Sequence, residues 1–222
     1  MLEQLLANVE IFPLMGVPLN EKNTMKMDFS PSNHKLIEID LSSTALFDRY
    51  VFGLLNSSRK QYGIGGYFEH RAIYQRSKVF ATAVEDFRDI HLGVDIWTKA
   101  GHPVYTPIDG AIHSFQDNVG FGNYGPTIIM EHKLGNKLLY SLYGHLQRVD
   151  LANLTVGKKF KKGDLLCHVG EFPENGDWPA HLHFQLMWDM MGNVGDFPGV
   201  CSHREQEKYR LICPNPHFII GY

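Results

Sequence analysis

From about residue 79 onward, apolar residues fall in short runs cut by Gly, Pro, Asn and Asp. Pro103-Val104-Tyr105, Thr127-Ile128-Ile129-Met130, Leu138-Leu139-Tyr140, Leu165-Leu166-Cys167 and Leu182 to Met187 each have strand length. Spacing of this kind predicts an antiparallel sheet or barrel-like core rather than βαβ units. The fold expected is therefore mainly β. The first part of the chain reads differently. Leu2, Leu5, Leu6 and Val9 line one face of a short helix, which Pro13, Gly16 and Pro18 end. Lys35 to Leu41 alternates as a strand does, with Ile37, Ile39 and Leu41 separated by Glu38 and Asp40. A second helix is predicted over Thr44 to Leu55. Gly63, Gly65 and Gly66 predict a flexible or tightly turned segment, and Gly120, Gly122 and Gly125 a loop with unusual backbone angles.

The division that follows is a mixed N-terminal extension over 1–78 and a β domain over 79–222, with a C-terminal tail from about 191. Leu36, Ile37, Ile39, Leu41, Phe47 and Phe52 carry enough apolar surface to press the extension onto the core, at about 1.5–3 kcal/mol per large side chain buried.

The 222 residues suffice to bury a full core without a disulfide scaffold. A net charge of -3 removes any general electrostatic case for nucleic acid. The one basic run, Lys158-Lys159-Phe160-Lys161-Lys162, reads as a solvated turn. The three cysteines, Cys167, Cys201 and Cys213, have no CxxC spacing and predict no disulfide framework. Met1 to Glu10 lacks the basic start of a signal peptide, and no apolar run spans a bilayer, so a cytoplasmic setting is the default expectation. Nothing specifies an oligomeric state.

Histidine changes the picture, with twelve in the chain. His34, His70, His102, His113, His132, His168, His203 and His217 stand alone and read as structural or surface residues. His181-Leu182-His183-Phe184-Gln185-Leu186 is different. Alternation puts His181, His183 and Gln185 on one strand face and Leu182, Phe184 and Leu186 on the other. Residues two apart lie about 6.6 Å apart along a strand, so one imidazole can bind a metal while the other reaches water or substrate; taken alone, the pair is equally compatible with two exposed histidines on a solvated face. His91-Leu92-Gly93-Val94-Asp95 adds an imidazole and a carboxylate. Fully extended they lie about 13 Å apart, but Gly93 permits a bend. Tyr143-Gly144-His145-Leu146 supplies one more imidazole at a strand end. Two histidines and one carboxylate, with an open position for water, is the donor count of a catalytic zinc site, and two histidines remain for proton transfer.

At these residues the sequence resembles the lysostaphin-type zinc metallopeptidases, in the order His91/Asp95, His145, His181/His183. Gly101-His102-Pro103-Val104-Tyr105-Thr106-Pro107, Gly122-Asn123-Tyr124-Gly125 and Lys162-Gly163-Asp164 carry the resemblance between the motifs, which together cover about 88 to 190. The resemblance implies a compact antiparallel fold with a groove, one zinc ion on His91, Asp95 and His183, and catalytic roles for His145 and His181. It implies a hydrolase acting on a peptide, a peptidoglycan fragment or a small amide; the competing reading is a non-catalytic binding module. The loop Glu174 to Ala180 is bulkier than the small-residue loop of many relatives. Gly66 to Arg71, Asn175 to Pro179 and Asp196 to Gly199 look like a variant of the domain found fused between phosphotransferase and aminotransferase domains, which implies a substrate other than cell wall.

Overall fold

The computed structural model describes residues 2–81 and 87–222; Met1, the first residue of the extension, lies outside them. In chain order the regular elements are α1 (Leu2–Leu6), β1 (Thr24–Lys26), α2 (Thr44–Ser58), β2 (Tyr62–Gly65), β3 (Ile90–His91), β4 (Val94–Trp97), β5 (Pro103–Tyr105) and β6 (Gly110–Asn118). They continue with β7 (Gly125–Leu134), β8 (Lys137–Gly144), β9 (Lys159–Phe160), β10 (Leu165–His168), β11 (His181–Met187), β12 (Val200–Cys201), α3 (Gln206–Ile212) and α4 (His217–Ile220).

The main sheet has eight strands in the order β1-β2-β4-β11-β8-β7-β6-β9. Every pair in it is antiparallel except β1 with β2. The mainly β, antiparallel expectation is met. β11 lies between β4 and β8, with His183 opposite Asp95 on one side and Gly144 on the other. Leu182, Phe184 and Leu186 enter the largest apolar cluster, together with Val94 and Ile96 of β4 and Tyr143 of β8. Asp95 and Trp97 alternate to the opposite face, where His181 and His183 also point. The period of two thus assigns one face of the sheet to packing and the other to chemistry.

The extension builds a second apolar cluster over that polar-bearing face. Phe47, Val51 and Leu55, spaced by four, form the buried stripe of α2. They meet Phe29, Ile73, Tyr74 and Phe80, and from the β domain Trp97 and Trp178. Residues beyond 191 also pack: Phe197, Tyr209 and Cys213 join a third cluster with Leu142 and Met187.

Several local expectations are corrected. Residues 35–41 do not form a strand; His34–Glu38 is a 3-10 turn. Its buried Leu36 and half-buried Ile39 are three apart, the period of a helical turn, while Ile37 is 80% exposed. Gly63 and Gly65 lie in a wholly buried strand rather than a flexible segment. Their use is space: a Cβ on Gly65 would come within 2.5 Å of the Arg71 guanidinium. The basic run supplies β9 at the sheet edge, and only Lys162-Gly163 forms the turn. The loop glycines 120, 122 and 125 do take positive φ, at 129°, 84° and 61°. The three cysteines are free and buried. No helix among the described residues is long and apolar enough to cross a membrane.

Candidate metal centre

The bend between His91 and Asp95 sits at the junction of β3 and β4. β3 pairs with β12, whereas β4 enters the main sheet, so the chain must turn at Leu92-Gly93. Gly93 is needed for close approach rather than for an unusual φ: a Cβ there would stand 2.7 Å from the His183 ring and 2.8 Å from the Phe184 carbonyl. His145 follows the end of β8 with a φ of 64°, a left-handed conformation uncommon for a residue with a side chain. Its backbone N–H is held by the Tyr124 carbonyl at 2.9 Å.

These turns bring all five sequence-predicted residues together, each at most 6% exposed. His91 Nε2 lies 3.2 Å from Asp95 Oδ1, His183 Nδ1 lies 3.0 Å from the same oxygen, and the two nitrogens are 3.0 Å apart. Four ligands at zinc distances stand about 3.3 Å from one another, so this triangle has the size a zinc ion requires. The His145 and His181 rings are 4.2 Å apart, and His181 Nε2 is 3.9 Å from Asp95 Oδ2.

The far side of every imidazole is engaged. His91 Nδ1 donates to the Gly66 carbonyl at 2.9 Å, His145 Nδ1 to the Asn175 carbonyl at 2.7 Å, and His181 Nδ1 to the Pro179 carbonyl at 2.7 Å. His183 Nε2 donates to Gln185 Oε1 at 3.0 Å. Each ring is thereby fixed in the tautomer that leaves its inner nitrogen with a free lone pair. Burial, with Arg71 beside it, lowers the His91 pKa to about 4. Burial alone acts most strongly on His181, also lowered to about 4. Burial and the neighbouring His181 and His183 push His145 well below the ordinary value. Neutral imidazoles are the metal-binding and proton-accepting form.

Asp95 is the opposite case. Burial works against its charge, yet His91, the Arg71 guanidinium and His181 hold its pKa well below the usual carboxylate range. Arg71 is itself fully buried and donates to Asp95 Oδ2 through Nη1 and to Glu69 Oε2 through Nε at 2.7 Å. Burial opposes its charge, but Tyr74, Asp95 and Glu69 raise its pKa above the ordinary value. The donor set, its spacing and its tautomers fit a zinc ion.

Sequence reasoning missed the supports. Arg71 lies 24 positions before Asp95, and no spacing rule links the two. Trp97 stacks on His181 at 4.1 Å and 22°, though its place two residues after Asp95 put it on the same strand face. The Glu174 to Ala180 loop, noted only for its bulk, holds His145. Asn175 is fully buried, and its side chain donates to the Gly170 and Trp178 carbonyls and accepts from the Trp178 N–H at 3.0 Å. The eight histidines expected to stand alone include two that do not: His70 and His203 meet at Asp89.

A cavity of about 280 Å³ opens on the centre. Trp97, Tyr124, Trp178, His145, His181 and His183 line its floor. The extension and the segment after it contribute Arg71, Tyr74, Phe80 and Arg88 to its wall.

The sequence model of peptidase family M23 matches residues 89–194. That span carries all five residues of the centre. No curated protein matches the chain. Among solved structures, a candidate peptidase M23 from Pseudomonas aeruginosa is 21% identical over 58% of this chain and 43% of its own, with a TM-score of 0.39. A zinc-containing peptidase from Vibrio cholerae is 25% identical over 44% of this chain and 27% of its own, TM-score 0.34. The catalytic domain of lysostaphin from Staphylococcus simulans is 24% identical over 55% of this chain and 80% of its own, TM-score 0.36. The chain thus spans less than half the length of the first two. The match to M23 begins at residue 89, after Gly66 to Arg71.

Proposed function

We propose that the chain is a zinc-dependent hydrolase that cleaves a peptide or amide bond, with one zinc per chain held by His91, Asp95 and His183. The observation that carries this reading is the set of four buried imidazoles with engaged outer nitrogens and free inner ones. A zinc ion held there would supply Lewis-acid polarisation of the scissile carbonyl and would make the attacking water more acidic. The remaining work belongs to side chains. His145 and His181, neutral at Nε2, are the proton acceptors: one takes the proton of the attacking water and returns it to the leaving amine nitrogen. The other, whose Nε2 is also free, can accept the second proton of that water as the product carboxylate forms. Arg71 holds Asp95 ionised and fixes its second oxygen, so the carboxylate keeps one oxygen for the metal. Trp97 stacks on the His181 ring and holds its orientation.

The match to M23 supports a peptide or peptidoglycan fragment as substrate. The cavity favours the smaller end of that range. Its volume of about 280 Å³ is at the low limit for a small-molecule site, about 300 Å³. Arg71, Ile73 and Tyr74 of the extension line one part of it.

Zinc content and turnover of five alanine variants test the assignment. His91→Ala, Asp95→Ala and His183→Ala lose the metal and the activity together, because a three-ligand set falls one short. His145→Ala and His181→Ala keep near one equivalent at this centre while turnover falls by about 10²–10⁴. Retention of the tightly held equivalent by all five variants would mean that the metal lies elsewhere and defeats the proposal. A screen over purified cell wall, short glycyl peptides and small amides tests the substrate range. Fastest turnover on intact cell wall would refute the small-substrate reading.

A further inference from the structure

Outside the centre, His70, Asp89 and His203 present three donor atoms within 4.8 Å of one another. Their meeting is a product of pairing around β3. Residues 69–71 run antiparallel to 89–91, with Arg71 N–H donating to the Asp89 carbonyl and His91 N–H to the Glu69 carbonyl, both at 2.9 Å. On the other side of β3, Cys201 pairs with Ile90, and His203 opens the short helical turn that follows β12. His70 Nε2 stands 2.8 Å from Asp89 Oδ2, and His203 Nε2 stands 3.7 Å from Asp89 Oδ1. The two rings meet edge to face, with centroids 5.3 Å apart and planes at 75°.

A second observation points the same way. Asp89 Oδ1 is shut off from solvent and has no hydrogen-bond partner among the described residues. A buried, unpaired carboxylate oxygen is costly, and His203 Nε2, at 3.7 Å, is beyond hydrogen-bond reach. A cation between the two satisfies both.

We propose that His70, Asp89 and His203 form a second divalent transition-metal site, distinct from the buried centre and open to solvent. Two imidazoles and one carboxylate suit zinc and its neighbours rather than calcium or magnesium, which take oxygen donors. The longest measured separation must close from 3.7 Å toward about 3.3 Å, the ligand spacing of tetrahedral zinc. The His203 side chain, 64% exposed, has room to make that adjustment. With three protein ligands, the remaining position faces water. Metal here ties residues 69–71, the end of β12 and the start of β3 into one cross-link. Arg71, next to His70, is the partner of Asp95, so the second site staples the segment that supports the first.

Metal counting on the whole chain is the test, with Zn²⁺ alone as probe. The protein is stripped with a strong chelator, reloaded by dialysis, and its metal measured by elemental analysis and by calorimetric titration. Two equivalents are expected, one tight and one released by a weak chelator. The double variant H70A/H203A is expected to hold one, with the tight equivalent intact. Asp89→Asn, which keeps the side-chain shape, is expected to do the same. Both histidines are surface residues, so circular dichroism should be unchanged. A single tight equivalent in the wild-type chain that H70A/H203A retains overturns the proposal, as does retention of two in the double variant. Failure of the hydrolase reading looks different, because it removes the tight equivalent and leaves the weak one.

Discussion

The chain carries two groups with the same donors, two imidazoles and one carboxylate, and their surroundings differ throughout. At His91, Asp95 and His183 no residue is more than 3% exposed, each ring has its outer nitrogen bonded, and the second oxygen of Asp95 is capped by Arg71. At His70, Asp89 and His203 the two imidazole side chains are 46% and 64% exposed, and one carboxylate oxygen has no partner. The first group is fixed before any ligand arrives. The second must lose side-chain freedom to bind, which weakens it. Donor identity sets what metal a site prefers, while burial and outer hydrogen bonds set how tightly and how precisely it is held.

The largest effect is expected at the cap that only the buried group has. Arg71→Met leaves Asp95 as an unpaired buried charge, so the chelated protein should lose about 3–5 kcal/mol of stability. Zinc, which restores a positive partner, should recover part of that loss. Urea unfolding with and without chelator measures both. An Arg71→Met chain as stable as wild type in chelator would show that Asp95 does not depend on its cap.

A smaller effect is expected from crowding the buried group. Gly93→Ala pushes a methyl into the His183 ring, at a cost of about 1–3 kcal/mol, and zinc affinity should fall with it. Unchanged affinity by competitive chelation would mean that the close approach is not needed. Among the described residues, no glycine is crowded in this way by His70, Asp89 or His203.

A fifth buried histidine sharpens the contrast, because it has no free nitrogen. His132 donates to the Asp109 carbonyl at 3.0 Å and accepts from Ser141 at 2.7 Å. Burial lowers its pKa from 6.5 to about 4. Between those values the unfolded chain binds the extra proton, so stability is complete above about pH 6.5 and falls as pH drops toward 4. His132 should account for about 2 kcal/mol of the loss by pH 5. A flatter stability profile in His132→Gln, measured by urea unfolding at pH 7 and pH 5, is the expected result. Identical profiles would place the acid sensitivity elsewhere, among the site histidines.

Much of the centre was legible because it obeys local rules. The alternation of His181 to Leu186 put both histidines on one face and three apolar side chains on the other, as β11 shows. The helix at Thr44 was visible from its pattern and runs to Ser58. Lys35 to Leu41 misled because alternation over seven residues is also compatible with a turn whose apolar residues are three apart. Asp89 was overlooked and His70 and His203 were set aside as solitary, since their contact joins segments more than a hundred positions apart.

The sequence by itself determined the donor types, the strand face that presents them and the bend-permitting glycine between His91 and Asp95. These follow from the two-residue period of a strand and from local steric freedom, which need no partner. The tertiary structure alone decided that β4 and β11 lie side by side with His183 opposite Asp95. It also placed Arg71 behind the carboxylate, the Asn175 carbonyl behind His145, and His70 beside His203. Such contacts arise from strand order and register, which are set by how whole faces bury apolar surface against one another, and that sum is not written in any one segment.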